Sequence, residues 1–243
     1  MELPPVARDV LATGRNVVDE ARDLPWRRIG LIGAGASLAV VLLLGLLVRI
    51  QVIRDEIDVE WMDEILENRS PFLEGPARVF DFLGGGWFAI AAVPIAVALV
   101  FLVRKRPWAA LVFVIASAVS AAIVQGLKVL YSRQRPEDIL LDLTNGAYPS
   151  GHVANAATIA VLLTLLVARA WVLIPGLAYV VLMALSRTYL GAHWVTDTVG
   201  GALLGAAVAV AVWAVFAPRL RAERERRAGR VSAGSKRTSP RAG

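Results

Sequence analysis

The sequence contains six apolar blocks without a charged residue, and their length is what most restricts the fold. A helix needs about 20 apolar residues to cross the hydrocarbon core of a bilayer, which is roughly 30 Å thick. The blocks cover residues 29–48, 84–103, 108–127, 153–167, 171–185 and 198–216. Hydrophobic residues make up 57% of the chain, more than in an ordinary soluble domain. We therefore predict an all-α polytopic membrane protein, a bundle of six transmembrane helices.

Clusters of basic residues mark one side of this predicted bundle. They lie before the first block, after the second, after the fourth and after the last: Arg22, Arg27 and Arg28; residues 104–106; Arg169; and Arg219, Arg221 and Arg224. Loops rich in Lys and Arg stay in the cytoplasm. We therefore expect a multi-pass protein of the cell membrane with both termini in the cytoplasm. The connector 49–78 and the stretches 128–152 and 186–197 then face the extracytoplasmic side.

The blocks divide the chain into three parts. Residues 1–28 form a cytoplasmic N-terminal segment, whose apolar spacing fits either an interfacial helix or a loose tail. Residues 29–217 form the six-span domain, in which the acidic connector is expected to hold a short helix that is ended by the breaks at Pro71 and Gly75–Pro76. Residues 218–243 are dominated by Arg, Ala, Gly and Ser and are expected to be a disordered basic tail. This tail either binds anionic lipids or is a solvated determinant of topology, and we prefer the second interpretation.

Net charge and cysteine content exclude several classes of function. The formal net charge is +6, which in a soluble protein would suggest nucleic-acid binding. Here the surplus lies mostly at the two ends and in one loop, where membrane topology explains it, so we expect no nucleic-acid partner. The chain has no cysteine, which excludes disulfides, thiolate catalysis and zinc–thiolate sites.

Three short motifs place cationic side chains in the outward-facing stretches. They comprise Lys128 followed after six residues by Arg135-Pro136, then Pro149-Ser150-Gly151-His152, and finally Ser186-Arg187 followed by His193 and Asp197. Charged side chains at the ends of membrane helices are costly unless they face a shared polar site. The cations Lys128, Arg135 and Arg187 together indicate an anionic ligand, and the planar fork of arginine matches the oxygens of a phosphate.

The second motif leads directly into the fourth apolar block. A phosphate at the start of that helix would receive free backbone N–H groups and the positive end of the helix dipole. The Ser150 hydroxyl can add a hydrogen bond, and Gly151 lets the backbone approach an oxyanion closely. Ser150 and Gly151 are therefore candidate phosphate-binding residues.

His152 and His193 are the only histidines in the chain. Asp197 shares a helical face with His193 if the sixth helix starts before Ala192. An aspartate that accepts a hydrogen bond from one imidazole nitrogen leaves the other free as a nucleophile. His152 would then protonate the departing alkoxide, which suits a group with a pKa near 6.5. Each histidine taken singly is also compatible with a packing role, and Asp197 with a helix cap.

The three motifs, in this order, resemble the signature of the type 2 phosphatidic acid phosphatase (PAP2) family: K-x6-RP, PSGH and SR-x5-H-x3-D. Every signature position is matched, and the layout is similar to that of the membrane members of the family over residues 29–217. The resemblance implies a helical bundle of the PAP2/haloperoxidase type and catalysis without a metal ion or cofactor. It assigns phosphate binding to Lys128, Arg135, Ser150, Gly151 and Arg187. It implies that His193 attacks phosphorus, Asp197 orients it and His152 protonates the leaving group.

The other polar residues of these stretches receive a simpler interpretation. The acids Glu137, Asp138 and Asp142 are expected to be solvated loop charges, with a metal role as the less favoured alternative. Arg133 and Tyr189 lie inside the gaps of the motifs, and we expect solvation in loops for both. The gap between Pro136 and Pro149 is short for the family, which favours a shallow site open to the membrane surface.

These observations predict an enzyme that removes a phosphate from a lipid in the bilayer through a phosphohistidine. The phosphate is a monoester or the terminal group of a pyrophosphate, and phosphatidic acid, phosphatidylglycerol phosphate and undecaprenyl pyrophosphate all fit. Three other functions remain open. One is a vanadate-dependent haloperoxidase, an enzyme class that shares the signature but consists of soluble helical bundles. Another is a lipid phosphotransferase, which would use the same nucleophile. The third is a non-catalytic phospholipid carrier, which would not need the His193–Asp197 pair. No protein partner can be inferred from the sequence.

Overall fold

The computed structural model describes residues 26–52 and 57–237, and every regular element among them is helical. In chain order the α-helices are α1 Trp26–Arg49, α2 Val59–Glu67, α3 Pro71–Gly84, α4 Val93–Val103, α5 Pro107–Tyr131, α6 Gly151–Val167, α7 Leu173–Tyr189 and α8 Val195–Arg237. A π-helical turn, Phe88–Ala92, precedes α4, and a 3₁₀ turn, Ala170–Val172, precedes α7. The prediction of an all-α fold is confirmed for these residues.

Three of these helices are long and apolar enough to cross a membrane: α1, α5 and the part of α8 up to Ala228. Helix α3 and the π-helix with α4 form a pair bent by 47°, which makes a fourth candidate if the pair is one span. Helices α6 and α7 are apolar but have only 17 residues each, and such a helix is about 25 Å long at 1.5 Å per residue. Length and composition therefore support three or four spans, and the count of six stays a prediction.

Helix α6 lies at the centre of the bundle and is in contact with α5, α7 and α8. Its contact with α8 is close because glycines face it. A Cβ atom on Gly205 would overlap the carbonyl oxygen of Ala154, and one on Gly201 would lie 2.5 Å from that of Ser150. Small residues let membrane helices approach in this way. The result is that the starts of α6 and α8, which carry the second and third motifs, lie side by side.

A buried apolar cluster holds the other end of the bundle together. It includes Phe113 of α5, Leu162 and Leu166 of α6, and Ala209 and Leu220 of α8. Many large hydrophobic side chains elsewhere are exposed on the outer surface, which is the arrangement expected where lipid is the solvent.

The C-terminal boundary of the domain differs from the prediction. Helix α8 continues through Pro218 to Arg237, so the predicted disordered tail is helical over residues 218–237. The extension is anchored by Glu223, which accepts the Trp108 N–H at 2.7 Å and lies 3.5 Å from Arg106 Nε. Alanine, arginine and glutamate are also good helix formers. Residues 238–243 lie outside the described residues.

Two further expectations fall at the start of the chain. Residues 1–25 lie outside the described residues, and so does the proposal of an interfacial helix there. In the connector, α2 ends at Glu67, and Pro71 begins α3 at its first position. The connector helix therefore ends before both predicted breaks, and Pro71 and Gly75–Pro76 lie inside α3 instead of ending a helix. Proline lacks an N–H that the first turn of a helix does not use, so it is accepted there.

Candidate active site

Six of the eight predicted site residues line one cavity of about 440 Å³ at one end of the bundle: Lys128, Arg135, Gly151, His152, Arg187 and His193. Lys128 and Arg187 come from the last turns of α5 and α7, and Gly151 and His152 from the first turn of α6. The other two predicted residues lie directly behind this wall. Ser150 is fully buried before α6, and its N–H donates to the Asp197 carbonyl at 2.9 Å.

Arg187 offers hydrogen-bond donors that no group within residues 26–52 and 57–237 accepts. The residue is fully buried, and its Nη1 donates to Asp81 Oδ1. Its Nε and Nη2 atoms are buried without a hydrogen-bond partner, and the same holds for the Ser150 hydroxyl. Buried donors without an acceptor are costly. An anion in the cavity would satisfy them.

Lys128 and Arg135 are held by backbone carbonyls of the loop between α5 and α6. Lys128 Nζ donates to the Gly146 oxygen at 2.5 Å, and Arg135 Nε donates to the Asn145 carbonyl oxygen at 3.0 Å. Burial and the nearby Arg187 lower the pKa of Arg135 to about 10. The guanidinium is therefore still protonated at neutral pH, and three cations surround the polar end of the cavity.

The His193 imidazole lies between Asp197 and the cations. Its Nδ1 is 3.5 Å from Asp197 Oδ2, and its Nε2 is 3.4 Å from Arg135 Nη1. Burial and the charge of Arg187 hold the pKa of His193 well below its usual range. The ring is therefore neutral at pH 7, as a nucleophile must be. The condition for a shared helical face, a helix start before Ala192, is not met, because α8 begins only at Val195. The loop before α8 nevertheless brings the two side chains together.

Asp81 supports His152 and was missed by the sequence reasoning. His152 Nε2 lies 3.1 Å from Asp81 Oδ1 and 3.1 Å from the Asp81 carbonyl oxygen. The same carboxylate oxygen accepts a hydrogen bond from Arg187. The available signal was one acid in the apolar run Val79-Phe80-Asp81-Phe82-Leu83, since a charge in such a segment usually faces a functional site.

Glycines at the end of α3 make room for His152. A Cβ atom on Gly85 would overlap His152 Nε2, and one on Gly84 would lie 2.9 Å from His152 Cδ2. The Gly84–Gly86 run therefore forms one wall of the cavity because larger residues would displace the imidazole.

Arg133 and Tyr189 are not solvated loop residues, so both expectations were wrong. The Arg133 side chain is 8% exposed and bonds to Asp197. Tyr189 is buried, and its hydroxyl donates to the Ser70 carbonyl at 2.7 Å, which ties α7 to the start of α3. Burial of Arg133 could not be read from its position in a loop, because its two carboxylate partners come from distant segments.

Glu137, Asp138 and Asp142 are exposed, as expected for loop charges. Over residues 26–52 and 57–237, no group of three or more His, Asp or Glu side chains is placed to hold a metal ion.

The cavity continues from the cations into an apolar groove. Its walls there come from the π-helix and α4 on one side and from α5 on the other: Ile90, Ala91, Pro94, Ile95, Val114, Ala118, Ala121 and Val124. A cavity with cations at one end and apolar walls along its length fits an amphiphile with an anionic head.

Three sequence comparisons point to phosphatases. A model of the PAP2 superfamily matches residues 108–221. An undecaprenyl-diphosphatase of Sulfolobus acidocaldarius is 45% identical over 62 residues, which cover 26% of this chain and only 30% of that protein. Phosphatidylglycerophosphatase B of Bacillus subtilis is 29% identical over 147 residues, which cover 56% of this chain and 72% of that protein.

Solved structures share the fold. The transmembrane PAP2-type phosphatidylglycerolphosphate phosphatase from Bacillus subtilis superposes with a TM-score of 0.64 at 24% identity, covering 72% of this chain and 92% of that one. LpxE of Aquifex aeolicus gives a TM-score of 0.56 at 26% identity, covering 66% and 97%. The described chain is thus an all-helical, multi-pass membrane protein. Its three complete motifs and the superfamily match over residues 108–221 make it similar to the PAP2 superfamily.

Proposed function

We propose that this protein is a lipid phosphatase that uses His193 as its nucleophile. The observation that carries the proposal is the set of buried, unpaired donors of Arg187 and Ser150 beside a neutral imidazole. Hydrogen bonds from these donors become stronger as negative charge develops on a phosphoryl group. Lys128 and Arg135 complete the charge around the phosphate, so positively charged side chains supply the stabilisation and the reaction needs no metal ion.

The reaction has two steps. His193 Nε2 attacks phosphorus while the bond from phosphorus to the lipid oxygen breaks, and His152 gives its proton to that oxygen. A water molecule then attacks the phosphohistidine, His152 takes the proton from this water, and the bond to Nε2 breaks to release phosphate. Asp197 Oδ2 lies 3.5 Å from Nδ1; during the attack it comes to accept a hydrogen bond from the Nδ1–H and keeps Nε2 directed into the cavity. Asp81 plays the corresponding part for His152.

The substrate is a lipid whose tail lies in the apolar groove. Relatives named as an undecaprenyl-diphosphatase and a phosphatidylglycerophosphatase make undecaprenyl pyrophosphate and phosphatidylglycerol phosphate the first candidates, with phosphatidic acid as a third. Each presents a terminal phosphate on an apolar chain. A phosphotransferase would pass the same phosphoryl group to an acceptor alcohol in the second step.

The basic clusters support an extracytoplasmic site. Lys105, Arg219, Arg226 and Arg227 line a separate cavity between the start of α5 and the later turns of α8. The catalytic cavity lies at the end of α5 and the start of α8, which is the opposite end of both helices. By the positive-inside rule the basic end is cytoplasmic and the catalytic end faces outward. Six spans, with both termini in the cytoplasm, fit this orientation.

The test is phosphate release by the purified full-length protein from the three lipids in the presence of EDTA. The unchanged protein should hydrolyse at least one of them and yield an acid-labile, base-stable phosphoprotein. The variant His193→Ala should yield none. Asp142→Asn, which removes an exposed loop charge, is the matched control and should behave as the unchanged protein. Loss of activity in EDTA contradicts the metal-free reaction, transfer to an added alcohol without hydrolysis favours the phosphotransferase, and lipid binding without turnover favours a carrier.

A further inference from the structure

Arg133 joins two buried carboxylates, and one of them is the partner of the proposed nucleophile. Its Nη1 donates to Asp197 Oδ1 at 2.5 Å, and its Nη2 donates to Asp58 Oδ2 at 2.6 Å. The side chains of Asp58 and Asp197 are fully buried. Removing one member of a buried ion network leaves the charge of another uncompensated, so the three groups depend on one another.

Asp58 also holds the start of α8, although it lies far away in the sequence. Its Oδ1 accepts the Thr196 N–H at 2.9 Å, and its Oδ2 accepts the Thr196 hydroxyl at 2.6 Å. The N–H groups in the first turn of a helix have no partner within the helix. Asp58 therefore caps α8 from the segment before α2, directly beside Asp197.

These contacts leave Asp197 no rotational freedom. One carboxylate oxygen accepts from Arg133, and the other accepts the Trp194 N–H at 2.9 Å and faces His193 Nδ1. The Arg133 guanidinium is itself held in place, because its Cζ lies 5.6 Å from the centre of the Trp194 ring. Arg133 and Asp58 thus set the direction in which the Asp197 carboxylate faces His193 Nδ1.

We propose that Arg133 and Asp58 are positioning residues for the nucleophile. They fix the Asp197 carboxylate and, through it, the orientation of the His193 imidazole, and they do not touch the substrate. Neither residue lines the cavity. The inference rests on the proposed function, since it assumes that His193 attacks phosphorus.

The proposal separates chemistry from binding. Lys128, Arg135 and Arg187 hold the phosphate in the proposed function, and none of them contacts Asp58. Loss of Arg133 should therefore slow the attack by His193 and leave substrate affinity unchanged. A purely structural ion network would instead change the stability of the protein, with normal turnover per folded molecule.

The experiment compares Arg133→Ala, Arg133→Lys and Asp58→Asn in the full-length protein, with Asp63→Asn as the control. Asp63 is an exposed acid on the neighbouring helix α2 and is not among the residues that line the cavity. We expect kcat and the rate of phosphohistidine formation to fall about 10- to 100-fold, as for other groups that orient a catalytic side chain. The KM should stay near that of the unchanged protein. Added guanidinium should restore part of the rate of Arg133→Ala, and lysine should not replace arginine because it cannot bridge both carboxylates.

The outcomes are distinguishable. Phosphohistidine formation at the normal rate in Arg133→Ala and Asp58→Asn would overturn the inference, and so would a higher KM at unchanged kcat. If Arg133→Ala does not fold, Asp58→Asn decides alone, because it keeps the size of the side chain and an acceptor for Thr196. If the unchanged protein forms no phosphohistidine at all, the proposed function fails first, and the inference fails with it.

Discussion

Each histidine of the site contacts an aspartate that in turn contacts an arginine. The two His–Asp–Arg series differ in the direction in which the arginine points. His193 faces Asp197, which bonds to Arg133, and His152 faces Asp81, which bonds to Arg187. Arg133 gives its Nη donors to carboxylates and lies outside the cavity wall. Arg187 keeps two nitrogen donors free at the cavity.

Burial differs in the same direction. The His193 side chain is 3% exposed, and that of His152 is 19% exposed. A nucleophile benefits from a dry, fixed position, whereas an acid that must exchange its proton with water needs some access to solvent. The same three residue types, His, Asp and Arg, therefore support a nucleophile in one place and a general acid in the other. What differs is the access of water to the histidine and the direction of the arginine.

The largest effect is expected for His152, tested with two leaving groups. His152→Gln should lower the hydrolysis of a lipid phosphate about 10²- to 10⁴-fold, which is the usual contribution of a general acid. The leaving group of p-nitrophenyl phosphate needs no protonation. With that substrate the rate of the first step should therefore fall much less in His152→Gln. Phosphohistidine formation in a single turnover is the measurement. Equal losses with both substrates would contradict the role of His152 as the acid.

The next effect concerns the two arginines. Arg187→Lys removes a fork aimed at the phosphate and should lower kcat/KM about 10²- to 10³-fold, as for the loss of a donor to a developing oxyanion. It should also weaken inhibition by vanadate. Arg133→Lys should leave vanadate inhibition unchanged, because that side chain does not face the cavity. Inhibition constants measured side by side would reveal whether the arginines differ in this way.

A smaller loss is expected when His152 is displaced without being changed. The added methyl group of Gly85→Ala overlaps His152 Nε2, and a displacement of about 1 Å can reduce a rate about 10²-fold. Gly75→Ala in the same helix pair meets no atom within 4 Å and is the control. Turnover of the lipid is measured for both. Normal activity in Gly85→Ala would show that His152 does not depend on this wall.

The smallest effect is a shift in titration. Because the pKa of His193 lies well below its usual range, its imidazole should be neutral at pH 6, where an ordinary histidine with a pKa near 6.5 is mostly protonated. Protonation should appear only as the pH falls further. Nitrogen chemical shifts of the two labelled histidines, assigned with His152→Gln, provide the measurement. A midpoint at or above the usual value in the free protein would contradict the burial of His193.

Most of the catalytic side chains could be predicted because they lie in three short motifs. Lys128, Arg187 and His193 stand at fixed spacings at the ends of apolar blocks, where charges are expensive unless they serve a site. Asp58 and Asp81 lie outside the motifs and contact them only across helices that are distant in sequence. Asp81 had a local signal, as the one acid in an apolar run, and Asp58 had none. The extension of α8 past residue 217 was missed for the same reason: its anchor, Glu223, bonds to the start of α5.

The sequence by itself determined that the protein lies in a lipid bilayer and which chemical groups its site contains. The length of the apolar blocks requires a helical membrane protein, because every backbone group in lipid must bond within its own segment. The motifs supply the cations and the imidazoles. Only the tertiary structure decided which arginine faces an anion and which is bound by carboxylates. Arg133, Arg135 and Arg187 are the same chemical group, and only burial and the neighbouring oxygens distinguish them.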